Sequence, residues 1–173
     1  PQFLSLLCIL TLTTFFMPLT INQKAPDFTL PSTSGRSFTL YKDMREKPCI
    51  LYFYPKDFSI GCTNEACSFR DTFEVFHELN INIIGISRDS LESHQKFKKT
   101  LNLPFDLLAD EGGQVCALYK TQLPFVPTFT KRTTYLLDKN QVILAVYENI
   151  FSSKRHIKNM VEEVTKPKAA VKY

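Results

Sequence analysis

The stretch Tyr52–Arg70, YFYPKDFSIGCTNEACSFR, decides how this chain is to be read. Its first residues close an apolar, aromatic run, Ile50–Tyr54, whose lack of alternation marks a strand buried on both faces. Pro55 opens a loop, Cys62 arrives where a helical pattern begins, and Cys67 follows five residues later. Ala66, Phe69, Phe73, Phe76 and Leu79 recur at three- and four-residue spacing, which predicts one helix from Thr63 to about Leu79 with these side chains inward. Cys62, four residues before Ala66, shares that side, and Glu65 stands in the first turn, where an acid is favoured. At a strand-to-helix junction a thiol is held rigidly, and the free N–H groups and positive dipole end favour an anionic sulfur.

Working outward, Lys24–Leu40 carries two short alternating pieces, Phe28–Leu30 and Ser37–Leu40, around a Ser-Gly turn, which predicts a hairpin. Cys49 falls in the buried strand and reads as a small hydrophobe. Ile81–Ser87 is the next strand, and Ser87 or Asp89 is placed to cap a helix over about Leu91–Leu101. That helix should bury Leu91, Phe97 and Leu101 and leave His94 partly exposed. Phe105–Leu108 reads as a short strand and Gly112–Tyr119 as a short helix, with Cys116 packed inside. After the Pro124–Pro127 segment, Thr133–Leu137 and Gln141–Tyr147 form a second hairpin around Asp138–Asn140, with Asn140 suited to a positive φ. Ser152 or Ser153 would start a last helix facing inward through Ile157, Met160, Val161 and Val164. Strands interspersed with helices imply a central sheet covered on both faces. The expected fold is an α/β, thioredoxin-like three-layer sandwich with a mixed sheet and an N-terminal hairpin.

The composition sets bounds. A chain of 173 residues with 44% apolar content can bury one full core. The net charge of +4 is spread over short clusters, and no basic stripe points to nucleic acid. No G-x-G-x-x-G or P-loop pattern follows the strands. Five cysteines at irregular spacing do not form a secreted disulfide framework and suit a reduced compartment. Residues 1–20 carry no charge and are apolar over Phe3–Phe16. They read as a targeting or anchor segment, as an extension beyond the natural start, or as part of the domain, and the sequence leaves all three open. The expected organisation is this apolar extension at 1–20, one domain over 21–166, and a flexible tail at 167–173.

The segment Tyr52–Asp71 resembles the active-site segment of the peroxiredoxins, in particular the bacterioferritin-comigratory or Q-type thiol peroxidases. That pattern is Pro, three residues, Thr or Ser, two residues, then the peroxidatic Cys, here Pro55, Ser59 and Cys62. APDFTL (Ala25–Leu30), ILYFYP (Ile50–Pro55) and RTTYLLD (Arg132–Asp138) also resemble family segments in the family's order. Ser59 replaces the usual Thr, keeping the hydroxyl and losing the methyl.

The resemblance implies that Cys62 attacks peroxide and becomes a sulfenic acid, with Cys67 as resolving cysteine. It places Arg132 beside Cys62, where a guanidinium would hold the thiolate and the peroxide oxygens. Ser59 would add a hydrogen bond, and Pro55 would shape the loop and exclude water. Residues five apart in an intact helix lie about 8–9 Å apart between Cα atoms, whereas a disulfide needs about 4.4–6.8 Å. The first turns, Thr63–Cys67, would therefore unwind after oxidation. Thioredoxin or a similar dithiol protein would restore the thiols, and neither cofactor nor metal is implied. The intrachain pair needs no second subunit, so a monomer is expected, cytoplasmic unless residues 1–20 export or anchor it. On residue type three alternatives stand beside this reading: a non-enzymatic redox or binding domain, a zinc site from Cys49, Cys62, Cys67 and His77, and a disulfide reductase. The Cys spacing narrowly misses structural zinc, and the reductase's Cys-x-x-Cys is absent.

Overall fold

The structure is a computed structural model that describes residues 18–123, 125–148 and 158–162. Its centre is a five-stranded mixed sheet in the order β5-β4-β3-β8-β9. The strands are β3 (Cys49–Phe53), β4 (Asn82–Ser87), β5 (Asp106–Ala109), β8 (Thr133–Leu137) and β9 (Ile143–Glu148). β3, β4 and β5 run parallel, joined by helical crossovers, while β8 pairs antiparallel with both β3 and β9. All five residues of β3 are buried, as its unbroken apolar run requires when both faces are covered. A separate hairpin pairs β1 (Thr29–Pro31) with β2 (Ser37–Thr39), and a second pairs β6 (Gln122–Leu123) with β7 (Val126–Thr130).

Successive strand residues point to opposite faces, and this alternation divides the core in two. On one face Leu51, Phe53, Ile84, Ile86, Tyr135 and Leu137 meet the β1–β2 hairpin and two short helices, α1 (Leu40–Asp43) and α5 (Gln114–Leu118). On the other, Ile50, Tyr52, Tyr54, Ile83, Leu107 and Leu136 meet the side chains that cover the second face. These come from α2 (Ile60–Asp71), α3 (Phe73–Glu78), α4 (Leu91–Leu101) and the helical turn at 158–162, through residues such as Ala66, Phe76, Phe97 and Met160. The three-layer sandwich with a mixed sheet and N-terminal hairpin is therefore the architecture found.

Several local expectations are corrected. The single helix from Thr63 to Leu79 is two helices, because Thr72 Oγ1 donates to the carbonyls of Ser68 and Phe69 at 2.8 and 3.4 Å. Such back-bonding competes with the helical ladder and turns the chain. α2 also starts earlier, at Ile60, and Leu79 falls outside α3, exposed. The cap of α4 is Ser90, whose Oγ accepts from the Ser93 N–H, in place of Ser87 or Asp89. At the β8–β9 turn the positive φ belongs to Gln141 (59°), since Asn140 and Val142 instead give their N–H groups to Asp138 Oδ1. The Pro124–Pro127 segment lies partly within the unforeseen β6–β7 hairpin. Met160 is fully buried as expected, whereas Ser152, Ser153, Ile157, Val164 and the tail 167–173 lie outside the described residues, as do residues 1–17.

The packing of β3 against its neighbours leaves one position with no room for a side chain. A Cβ on Gly85 of β4 would lie 2.6 Å from the Tyr52 ring and hydroxyl and 2.6 Å from Leu107 Cδ2. Tyr52 itself stacks on Phe69 of α2, with ring centroids 4.8 Å apart. Replacing Gly85 with Ala overpacks this layer and is expected to destabilise the fold by about 1–3 kcal/mol, read as a lower denaturant midpoint with unchanged slope.

Candidate active site

The turn between β3 and α2 is built by its backbone chemistry. Tyr54 continues the sheet by donating its N–H to the Ile86 carbonyl, and Pro55, which has no N–H, ends that pairing. The loop then reaches Ser59, the N-cap of α2, in extended conformation. Ser59 Oγ accepts from the Cys62 N–H at 3.4 Å and donates to the Lys56 carbonyl at 3.1 Å. A serine cap of this kind satisfies one of the free N–H groups of the first turn. Its hydroxyl is thus engaged with the helix start and the loop behind it.

Cys62 sits in the first turn of α2, 1% exposed, with its side chain in the inner cluster beside Tyr52 and Ala66. Arg132, just before β8, reaches across from the sheet. Its Nη2 donates to Cys62 Sγ at 3.1 Å, and its Nη1 donates to Glu65 Oε2 at 2.7 Å. One guanidinium therefore grips the sulfur and a carboxyl one helical turn further on. Sequence distance hides this pairing: residues 62 and 132 meet because β8 lies next to β3, with Phe53 opposite Thr133. A guanidinium is permanently charged and presents its N–H groups as a rigid fork, so it gives an anionic sulfur a charge-assisted partner.

Two contributors to this arrangement were not singled out as site residues from the sequence. Glu65 is one, although its i, i+3 relation to Cys62 puts the two on neighbouring positions of one helix face. Burial raises the Glu65 carboxyl to about 7, outweighing the opposite pull of Arg132. Gly61 is the other. A Cβ there would come within 2.6 Å of Arg132 Nη2 and 3.2 Å of Cζ, so the guanidinium lies against bare backbone.

The other cysteines among the described residues differ in kind. Cys67 lies on α2, half-buried, with a free thiol. Cys49 and Cys116 are also free and fully buried, and burial pushes each thiol up to about 12. Both are inert packing residues, as expected. The zinc alternative is not assembled: Cys49 is in β3, His77 stacks on Phe73 at the exposed side of α3, and no metal-binding group of three or more His, Cys, Asp or Glu forms among the described residues. His94, expected partly exposed, is 0% exposed and bonded to Asp57, because it occupies the inward position between Leu91 and Phe97.

Two measurements test this geometry. Gly61→Ala should displace the guanidinium and slow peroxide oxidation of Cys62 by about tenfold to a hundredfold, as a misplacement near 1 Å does, while circular dichroism stays that of the parent. Glu65 gives a pH signature. Its folded value of about 7 lies above the ordinary 4.5, so between these values the native state holds a proton that the unfolded chain has released. Its contribution to stability is therefore full below 4.5 and lost as the pH rises through about 7. Glu65→Gln should flatten stability against pH across that window in denaturant titrations.

Comparison with known proteins converges on one family. The AhpC/TSA family model matches residues 21–146. The chain is 43% identical over 142 residues to the chloroplastic peroxiredoxin Q of Sedum lineare, covering 82% of this chain and 76% of that one. It is 44% identical over 133 residues to the chloroplastic peroxiredoxin Q of Oryza sativa subsp. japonica, covering 77% of this chain and 61% of that longer protein. The crystal structure of peroxidoxin BcpB from Mycobacterium tuberculosis superposes with a TM-score of 0.78 at 30% identity, covering 84% of this chain and 96% of that one. The chain belongs to the AhpC/TSA family and, within it, to the peroxiredoxins of the Q or bacterioferritin-comigratory type, enzymes of thiol-peroxidase chemistry.

Proposed function

We propose that this chain reduces hydrogen peroxide and organic hydroperoxides with Cys62 as the peroxidatic residue. The observation that carries this reading is the 3.1 Å contact from Arg132 Nη2 to Cys62 Sγ at the capped start of a helix. The Cys62 thiolate attacks one peroxide oxygen, the O–O bond breaks, and the departing oxygen takes up a proton to leave as water or an alcohol. Cys62 becomes a sulfenic acid. The Arg132 fork faces the charge that builds on the departing oxygen, and the helix N-terminus adds its dipole. Pro55 shapes the loop over the thiol, and Ser59 holds the helix start.

Cys67 is the resolving residue in this reading. Its thiol attacks the Cys62 sulfenic sulfur, water departs, and an intrachain disulfide remains. Both cysteines lie on α2, where five residues of intact helix hold the Cα atoms about 8–9 Å apart. The first turns must open before the sulfurs meet. Thioredoxin or a similar dithiol protein then reduces the disulfide by exchange through a mixed disulfide. The enzyme works as a monomer, with 21–166 as its domain. No helix among the described residues is long and apolar enough to cross a membrane, and a cycle built on free thiols suits the reducing cytoplasm.

Thioredoxin-linked turnover with hydrogen peroxide tests the assignment. Cys62→Ser should abolish it. Cys67→Ser should leave the first oxidation fast but stop turnover and let Cys62 over-oxidise. Arg132→Lys should slow the first oxidation by about a hundredfold, the scale of losing one aimed donor. Turnover retained by Cys62→Ser would end the reading.

A further inference from the structure

A second polar cluster gathers around the loop that precedes Cys62, centred on an Asp–His pair sealed from solvent. Asp57, in the loop between β3 and α2, is 4% exposed, and His94, on α4, is 0% exposed. Asp57 Oδ1 accepts from the Tyr54 hydroxyl at 2.8 Å, and its Oδ2 accepts from Ser93 Oγ at 2.7 Å. The same Oδ2 lies 2.9 Å from His94 Nδ1, which is also 3.3 Å from the Tyr54 hydroxyl. Across the ring, His94 Nε2 lies 3.1 Å from the Leu108 carbonyl of β5. The backbone N–H of Asp57 donates to Asp89 Oδ2 at 2.9 Å, and Asp89 in turn accepts from Ser87 Oγ at 2.7 Å. One loop residue is thereby tied to the end of β3, the end of β4, the first turn of α4 and, through the imidazole, to β5.

The loop held in this way is under strain. Phe58 follows Asp57 with φ of 59°, a conformation unfavourable for a bulky aromatic residue and kept only where its surroundings over-determine it. Its ring rests on Phe97 of α4 at 5.1 Å. Ser59, the cap beneath Cys62, comes next. The ties to Asp57 thus brace the strained Phe58 and, through it, the cap at Ser59.

We propose that the buried Asp57–His94 pair is a positioning element that sets the balance between two arrangements of the site. In one, Cys62 lies under Arg132 and reacts with peroxide; in the other, the first turns of α2 are open and Cys62 meets Cys67. The proposal rests on the cysteine cycle described above. The pair stabilises the closed arrangement by fixing the loop that carries the Ser59 cap. Loosening it lets the loop follow the opening helix, so the two chemical steps respond with opposite sign. A merely structural role would not split them in this way.

The test follows both steps in one rapid-mixing experiment. Reduced protein is mixed with hydrogen peroxide, quenched with an alkylating reagent at increasing times, and analysed by mass spectrometry for Cys62 oxidation and for the Cys62–Cys67 disulfide. Tyr54→Phe removes one hydrogen bond to Asp57 and keeps the ring, so it preserves the packing. His94→Gln keeps an amide that can reach the Leu108 carbonyl but not Asp57, whereas His94→Asn keeps a donor toward Asp57. Tyr54→Phe and His94→Gln should each slow the oxidation and speed disulfide formation by about three- to tenfold, the scale of one net hydrogen bond. His94→Asn should fall nearer the wild type. Rates unchanged in Tyr54→Phe, or both steps moving in the same direction, would overturn the proposal even if a His94 variant fails to fold. Absence of the disulfide in wild-type protein would instead overturn the cycle itself.

Discussion

The contact between Arg132 and Cys62 is the constraint on which the site depends. It spans seventy residues of sequence, and three features must agree before it can form. β8 must lie beside β3, so that the residue preceding Thr133 comes level with the end of Phe53. α2 must begin by Ile60, so that Cys62 turns inward within its first turn. Gly61 must lack a side chain, because a Cβ would occupy the space of the guanidinium. Glu65 then takes the second arm of the fork at 2.7 Å and fixes its orientation. Sheet order, helix start, a glycine and a buried acid all serve one nitrogen–sulfur distance.

That precision sits at the end of the helix proposed to open. The far end of α2 is firmly held: Phe69 stacks on Tyr52, and Arg70 Nη1 donates to the Leu101 carbonyl of α4 at 2.9 Å. The near end carries, besides the buried Cys62 and Ala66, three further holds: the Ser59 cap, the Arg132 fork and, through the loop, Asp57. All three are polar contacts of modest net strength, each worth about 1 kcal/mol and somewhat more where a charge takes part. The contacts of Phe69 and Arg70 lie beyond Cys67, outside the turns proposed to open. Opening can thus be confined to the turns that separate Cys62 from Cys67, and short-range closure of the disulfide costs little chain entropy.

Much of this was legible in the chain. The unbroken apolar run Cys49–Tyr54 located the central strand, while the Pro55–Ser59–Cys62 spacing and the Arg132–Asp138 segment pointed to the thiol and the distant arginine through their resemblance to the family. These are local patterns, and local patterns survive in one dimension. What escaped depends on the third. The need for Gly61 is visible only once Arg132 is in place. The inward turn of His94 had a signal in its spacing from Leu91 and Phe97, but a polar residue at a core position needs a known partner to be believed, and Asp57 lies 37 residues away. The break at Thr72 turns on one hydroxyl choosing the carbonyls behind it. The positive φ at Gln141 follows from Asp138 taking up the N–H groups of Asn140 and Val142.

The central claim is that a thiol clamped under Arg132 is resolved within its own helix. It is tested most directly by peptide mapping of wild-type protein after one equivalent of hydrogen peroxide, with free thiols alkylated. The account predicts one dominant intrachain linkage, Cys62 to Cys67, with Cys49 and Cys116 recovered as buried thiols that alkylate only after denaturation. A dominant linkage of Cys62 to Cys49, Cys116 or another chain, with Cys67 still alkylatable, would contradict it.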